Sequence, residues 1–208
     1  ISNITVLPKI EPKKSRAKIG VYAKTTSITI TNFNIWKLLF NDIIKAKSIT
    51  VNEPNLILYK KDNNTRTIRQ EIAEPFDKII SVSDIFLQKG RLTVISTHDN
   101  EIILSTQNIA ASIEGIIISD PILERSIPFL FDAYIVDCDS LYYKPNEFYT
   151  IKVSEIRTAN HTLHIKNLEY LPEYSRATFV KKIPKEKDLF TVKASSLNIK
   201  SMDWGFKN

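Results

Sequence analysis

Alternation of apolar and polar residues is the pattern that most constrains this chain. Ile28 and Ile30 alternate with threonines, and Leu163 and Ile165 flank His164. The same period of two recurs around Ile49 and Val51, Leu56 and Leu58, Ile80 and Val82, Leu92 and Val94, Tyr149, Ile151 and Val153, and Leu197 and Ile199. Successive side chains of a strand point to opposite faces, so this period is typical of half-buried strands. The sequence therefore predicts an all-β fold.

Turn-forming residues separate these runs and indicate how the strands connect. Asp62–Asn64, Lys89–Gly90 and Asp99–Asn100 each stand between two predicted strands. Short links join antiparallel neighbours, because a parallel pair needs a much longer crossover. We therefore expect an elongated, curved antiparallel meander sheet. Helical spacing predicts one short helix over Asn34–Asp42 and a second helical turn over Asp120–Arg125.

Composition excludes several classes of function. The 208 residues are 43% hydrophobic, which is enough for a core. Only 4 glycines occur, so Gly-rich loops that cradle phosphate are not expected. One cysteine, Cys138, and 3 histidines predict neither an internal disulfide nor a metal centre. The net charge of +6 is spread along the chain and mixed with acidic residues, so we expect no nucleic-acid partner.

The two ends of the chain share an ordered set of residues. Ile1–Pro8 and Ile165–Pro172 both follow the frame Ile-x-Asn-(Ile/Leu)-x-x-Leu-Pro, and a basic loop follows each. The strand Ile28–Asn34 then matches Leu197–Asp203, with a tryptophan after each. We expect one repeat unit over 1–164 and the start of a second over 165–208, stacked along one sheet. A chance likeness between two strands is the alternative.

The segment Ile28–Lys61 resembles the AsmA-like family. The segment contains a strand, a short helix with Trp-Lys-Leu-Leu-Phe at Trp36–Phe40, a strand over Lys47–Val51, and Glu-Pro-Asn-Leu-Ile-Leu-Tyr-Lys from Glu53. It is most similar to members from Bacteroidetes-type bacteria, and the likeness covers about residues 1–61 and 146–208. The wider class includes the TamB type and bridge-like lipid transfer proteins.

This resemblance implies a periplasmic protein of a Gram-negative bacterium, tethered to the inner membrane. Because the chain begins at Ile1, we expect it to be a piece of a longer protein whose N-terminal anchor is missing. The implied fold is a curved sheet with an apolar groove for the acyl chains of phospholipid or another envelope lipid. We expect Ile80, Val82, Leu92 and Val94 to line this groove.

The short helix carries the densest apolar cluster of the sequence. We expect Trp36, Leu39 and Phe40 to form a plug at one end of the sheet, as core residues. The alternative is a functional cap or gate on the groove.

Candidate catalytic groups are sparse. His161 and His164 are three residues apart, so in one strand they point to opposite faces and do not share a metal. Asp137 and Asp139 share a strand face, and their distance suits a carboxylate pair, but a solvated polar stripe is the commoner arrangement. Between them, Cys138 is expected to pack inward. We therefore expect no catalytic, metal or cofactor site.

The sequence predicts a non-enzymatic β-groove protein in lipid transport to, or homeostasis of, the outer membrane. A cell-envelope interaction or adhesion module, with repeats as spacers, is the second hypothesis. A hydrolase that uses Asp137 and Asp139 is the third.

Overall fold

The computed structural model describes residues 1–7, 19–41, 44–60, 80–117, 130–183 and 188–202. Within these ranges the chain is mostly strand, and all ten strands belong to one sheet. The strands are β1 (Ser2–Val6), β2 (Ile19–Thr31), β3 (Ile44–Asn52), β4 (Asn55–Lys60), β5 (Ile80–Ser96), β6 (Ile102–Glu114), β7 (Ala133–Asn146), β8 (Tyr149–Ala159), β9 (Thr162–Pro172) and β10 (Val192–Ile199). The helices are α1 (Ile35–Asn41) and α2 (Arg176–Lys182). The predicted all-β sheet is confirmed.

From β5 to β10 the sheet is an antiparallel meander in which each strand pairs with the next. Asn100 lies in the turn between β5 and β6, and Asn160 lies in the turn between β8 and β9. Both have a positive φ, of 61° and 50°, which asparagine tolerates better than most residues. The Asp99 carboxylate also accepts a hydrogen bond from the backbone N–H of Glu101 at 2.9 Å. The hairpin predicted at Asp99–Asn100 is therefore confirmed.

The strands β3 and β4 act as one long strand that is interrupted at Glu53 and Pro54. Both pair antiparallel with β2 and parallel with β5, and the register is the same on either side of the interruption. Glu53 has a φ of 49°, and its N–H donates to the Gln88 carbonyl at 2.8 Å. Proline has no N–H to donate to the ladder, so its place at an irregularity fits its chemistry.

The parallel pairing of β5 with β3 and β4 departs from the expected hairpin order. A turn at Asp62–Asn64 would have made β4 and β5 antiparallel. The connection between Lys60 and Ile80 is longer than a dozen residues, which is the length that a parallel pair needs. Asp62–Asn64 themselves lie outside the described residues.

Six residues with a left-handed backbone conformation lie in one row that crosses the sheet. We call them the left-handed row: Asn3 in β1, Glu53 between β3 and β4, Lys89 in β5, Asn108 in β6, Ser140 in β7 and Asn167 in β9. The ladder of paired residues skips this level between β1 and β2, between β7 and β8 and between β9 and β10, yet the register continues unchanged beyond it. A residue in this conformation breaks the strict alternation of side chains along its strand.

Lys89 and Gly90 show this effect inside β5. They do not form the hairpin that the sequence predicted, because the strand continues from Ile80 to Ser96. A Cβ built on Gly90 would lie 2.6 Å from Leu87 Cδ2 and 3.3 Å from Ile109 Cβ. Leu87 and position 90 therefore face the same side, although they are three residues apart.

The helices are short, as expected. Ile35–Asn41 confirms the first predicted helix, whereas the second predicted helical turn, Asp120–Arg125, lies outside the described residues. The structure adds α2, which begins after Ser175 and contains the buried side chain of Phe179.

Candidate apolar binding face

Eight residues in direct register form an apolar row across eight strands. We call this the first apolar row: Val21, Leu58, Val94, Leu104, Tyr143, Ile151, Tyr170 and Val192. Residues paired across strands face the same side, so all eight side chains project from one face. With strands spaced about 4.8 Å apart, the row is about 34 Å long. One side of the sheet therefore carries an unbroken apolar line.

The neighbouring register position lies on the opposite face and is more polar. Its members are Tyr22, Ile57, Thr93, Ser105, Tyr142, Lys152, Glu169 and Lys193. The Lys193 ammonium donates to the Glu169 carboxylate at 2.7 Å. That ion pair holds the pKa of Glu169 below its usual range, mainly through the hydrogen bond and also through the charge of Lys193. The two faces of the sheet thus differ in polarity at this level.

Burial varies along the first apolar row. Leu58 and Val94 are each only 1% exposed. Leu104, Tyr143 and Ile151 are half-buried, and Val192 at the β10 edge is exposed. The central part of the row therefore keeps apolar surface in contact with solvent.

Beyond the left-handed row, another row crosses β2, β3 and β5 to β10; it is apolar except at Thr158, and we call it the second apolar row. It consists of Ile28, Val51, Leu87, Ala111, Val136, Thr158, Leu163 and Ile199. Strict alternation would place Leu87 and Leu92 on opposite faces. The left-handed Lys89 and the contact between position 90 and Leu87 place them on the same face of β5. In β5, the apolar residues on either side of the left-handed row therefore face the same way.

This geometry separates the four residues expected to line a groove. Leu92 and Val94 lie on the apolar face; Val94 belongs to the first apolar row. Val82 is buried and pairs with Ala46. The left-handed Lys89 lies between Val82 and Leu92, so the alternation that would place both side chains on one face is broken there. Ile80 begins β5 and pairs with Ile44. The alternation rule missed this change because it assumes an extended backbone at every residue.

An aromatic cluster covers the end of the first apolar row near β8 and β9. The Tyr149 ring stacks on Tyr170 with 4.6 Å between ring centroids and on Phe190 with 5.2 Å. Phe179 of α2 packs edge-on against Tyr149 at 5.7 Å and is only 1% exposed. The Tyr149 hydroxyl donates to the Asp188 carbonyl at 3.1 Å. Strand periodicity does not predict this cluster; the one local signal is the pair of neighbouring aromatic residues Phe148 and Tyr149.

The electrostatics of the cluster agree with an apolar environment. Burial raises the pKa of the Tyr170 hydroxyl above its ordinary value, and the neighbouring Tyr149 adds to the effect. Removing water disfavours the charged phenolate, so the neutral tyrosine is the form that this surface presents.

The helix α1 does not pack as the expected core plug. Trp36, Leu39 and Phe40 are 65%, 62% and 75% exposed. Trp36 instead stacks on Phe40 with 5.7 Å between ring centroids. The interpretation of these residues as core is wrong because the short helix presents their side chains to solvent. A role as a cap on the groove stays a prediction.

Asp139 and the two histidines each contact a different part of the sheet. The Asp139 carboxylate accepts a hydrogen bond from the Asn108 amide at 3.0 Å. His161 lies near the Met202 carbonyl, whereas His164 contacts the Asn198 side chain. Cys138 is half-buried and pairs with Ile156. In the part of the chain that the structure describes, no group of three or more His, Cys, Asp or Glu residues could hold a metal.

Two further findings concern the helices and the comparison with known proteins. Neither of the described helices is long and apolar enough to cross a membrane. No protein-family model and no curated protein match the chain.

Proposed function

We propose that this chain is part of a non-enzymatic protein of the AsmA-like class that holds lipid acyl chains along the first apolar row. The observation that carries the proposal is the run of eight apolar residues in register across eight strands. Leu58 and Val94 are buried, and Phe190 stacks on Tyr170. The uncovered part of the row is therefore its centre, Leu104, Tyr143 and Ile151. This centre spans two strand spacings, about 10 Å, and has room for an acyl chain laid across it.

The energetics favour such a ligand without a specific polar contact. Each buried CH₂ group contributes about 0.8 kcal/mol. A chain lying against Leu104, Tyr143 and Ile151 would cover apolar surface that is now half-exposed. Soluble proteins rarely leave a large apolar surface uncovered unless it serves a ligand or a partner.

The resemblance supplies the biological setting of the proposal. It supports a periplasmic location in a Gram-negative bacterium, tethering to the inner membrane, and a role in lipid transport to, or homeostasis of, the outer membrane. A cell-envelope interaction or adhesion module remains the competing proposal, because the exposed Trp36, Leu39 and Phe40 side chains also offer an apolar surface to a partner protein.

Site-specific photo-crosslinking tests the proposal with matched controls. A benzophenone side chain is placed at Leu104 or Ile151 on the first apolar row, and at Ser105 or Lys152, their neighbours on the opposite face. The protein is irradiated in bacterial envelopes and then analysed for bound lipid by mass spectrometry. We expect lipid adducts at Leu104 and Ile151 at least about tenfold above those at Ser105 and Lys152.

Two results would reject lipid binding at this face. Equal labelling at both faces would mean that lipid contacts the protein without selecting the apolar row. Protein adducts in place of lipid at Leu104 and Ile151, with no lipid in the purified sample by native mass spectrometry, would favour the interaction module.

A further inference from the structure

The strand β1 has an outer edge that pairs with no described strand and lacks most of the features that usually protect such an edge. It stands at the end of the strand order, and in the described ranges its only pairing is with β2. Its sequence, SNITV, contains no charged residue and no proline. Proteins commonly protect edge strands with lysine, proline or bulges, because an unpaired edge is a template for another strand. This edge carries Asn3 as its only irregularity.

The pairing of β1 with β2 is reproduced by β9 and β10. When Ile1–Pro8 is aligned with Ile165–Pro172 and Ile28 with Leu197, all four described pairs of β1 and β2 predict observed pairs of β9 and β10. For example, Thr5 pairs with Lys24, and the equivalent Glu169 pairs with Lys193. The agreement supports equivalence of the two hairpins, and it includes the left-handed conformation at Asn3 and Asn167.

The equivalent hairpins differ in what lies beside them. The outer edge of β9 is covered by β8, with Ile151 opposite Tyr170 and Ile156 opposite Ile165. Tyr170 and Ile165 are half-buried. Their equivalents are Val6 in β1 and Ile1 just before it, which are 51% and 82% exposed. No described strand therefore lies beside β1 in the position that β8 occupies beside β9.

We propose that the β1 edge binds an antiparallel strand of the β8 type, with apolar residues opposite Ile1 and Val6. The expected register follows from that of β8 on β9. Positions equivalent to Ile151, Lys152 and Ile156 lie opposite Val6, Thr5 and Ile1. The backbone hydrogen bonds provide the affinity, and the two apolar pairs fix the register. This proposal does not depend on lipid binding.

Disulfide trapping with a synthetic peptide tests the register directly. The peptide has the β8 sequence, Tyr149–Ala159, with Lys152→Cys, and the full chain carries Thr5→Cys in a Cys138→Ser background. Two further peptides carry the cysteine at Val153 or at Glu155 instead. We expect the Lys152→Cys peptide to be trapped at least about tenfold faster than either. A cysteine at Val153 would point to the opposite face, and one at Glu155 would lie more than about 7 Å away, and neither geometry allows a bridge.

The opposite edge provides the matched control in the protein. A chain with Ser196→Cys in β10, also in the Cys138→Ser background, presents an exposed cysteine at the other end of the sheet. Trapping there should show no preference among the three peptides. Equal trapping at Thr5→Cys, no trapping at all, or a disulfide dimer of the chain formed in preference to the peptide adduct would each overturn the proposal.

Amide hydrogen exchange provides a second measurement on the unsubstituted protein. Added β8 peptide should slow exchange in Ser2–Val6 and leave Val192–Ile199 unchanged. Slowing at both edges would indicate unspecific strand addition and would contradict the proposal.

Discussion

Asn3 and Asn167, near opposite ends of the chain, have the same left-handed backbone conformation, with φ values of 55° and 50°. Each occupies the asparagine position of the shared frame, and each lies in the left-handed row. Asparagine is among the few residues other than glycine that adopt this region readily. The shared frame therefore includes an asparagine with a left-handed backbone as well as apolar residues at fixed positions.

Substitution at Asn167 tests that requirement. Its side-chain amide also donates to the Ser154 hydroxyl at 3.0 Å, so both Asn167→Gly and Asn167→Ala lose that hydrogen bond. Alanine has a Cβ, which is strained in the left-handed region, whereas glycine has none. We expect Asn167→Ala to lower the free energy of unfolding in urea by about 1 kcal/mol more than Asn167→Gly. At Lys152, in a regular stretch of β8, alanine should be tolerated better than glycine; the same order at Asn167 would contradict this account.

The Glu169–Lys193 ion pair predicts a specific pH dependence. The Lys193 ammonium lowers the pKa of Glu169 below the ordinary 4.5, so the pair stabilises the β9–β10 hairpin above that pH. This stabilisation is lost as the pH falls through the lowered pKa. Carboxyl NMR titration should show the Glu169 pKa rising in Lys193→Ala and unchanged in Lys200→Ala. An identical Glu169 titration in all three proteins would mean that Lys193 does not contact it in solution.

The two aromatic clusters should differ sharply in their effect on stability. Phe179→Ala empties a fully buried position and should lower the free energy of unfolding by about 3–4 kcal/mol. Trp36→Ala removes an exposed ring that stacks on Phe40, so we expect a loss of about 0.5–1 kcal/mol. Both values are measured by urea denaturation. A larger loss for Trp36→Ala would restore the interpretation of α1 as core.

The alternation in the sequence predicted the strands well, because half-buried strands need it wherever the backbone is extended. It predicted poorly which face each side chain occupies, because lysine and glutamate rarely adopt the left-handed backbone that Lys89 and Glu53 have here. Strict alternation therefore places Val82 and Leu92 on one face, and the turn-forming pair Lys89–Gly90 predicts a hairpin where the strand continues. Local sequence also contained no signal for the parallel pairing of β3 with β5, which depends on the path of the chain between Lys60 and Ile80.

The close approach of Gly90 to Leu87 provides the most direct test of the geometry at the left-handed row. A methyl group at position 90 would lie 2.6 Å from Leu87 Cδ2. Gly90→Ala should therefore lower the free energy of unfolding by about 1 kcal/mol, the low end for overpacking, because the clashing methyl group ends a half-buried side chain that can shift. Shortening the partner removes the clash, so Leu87→Ala should be less destabilising by about 1 kcal/mol in the Gly90→Ala background than in the unsubstituted protein.

Leu163→Ala is the matched control for this cycle, because Leu163 belongs to the second apolar row but lies on the distant strand β9. Its effect on the free energy of unfolding should add to that of Gly90→Ala within about 0.5 kcal/mol. If Leu87→Ala is equally additive, position 90 and Leu87 do not face the same side. The apolar residues of β5 on either side of Lys89 would then lie on opposite faces, and in β5 the second apolar row would not share a face with the first.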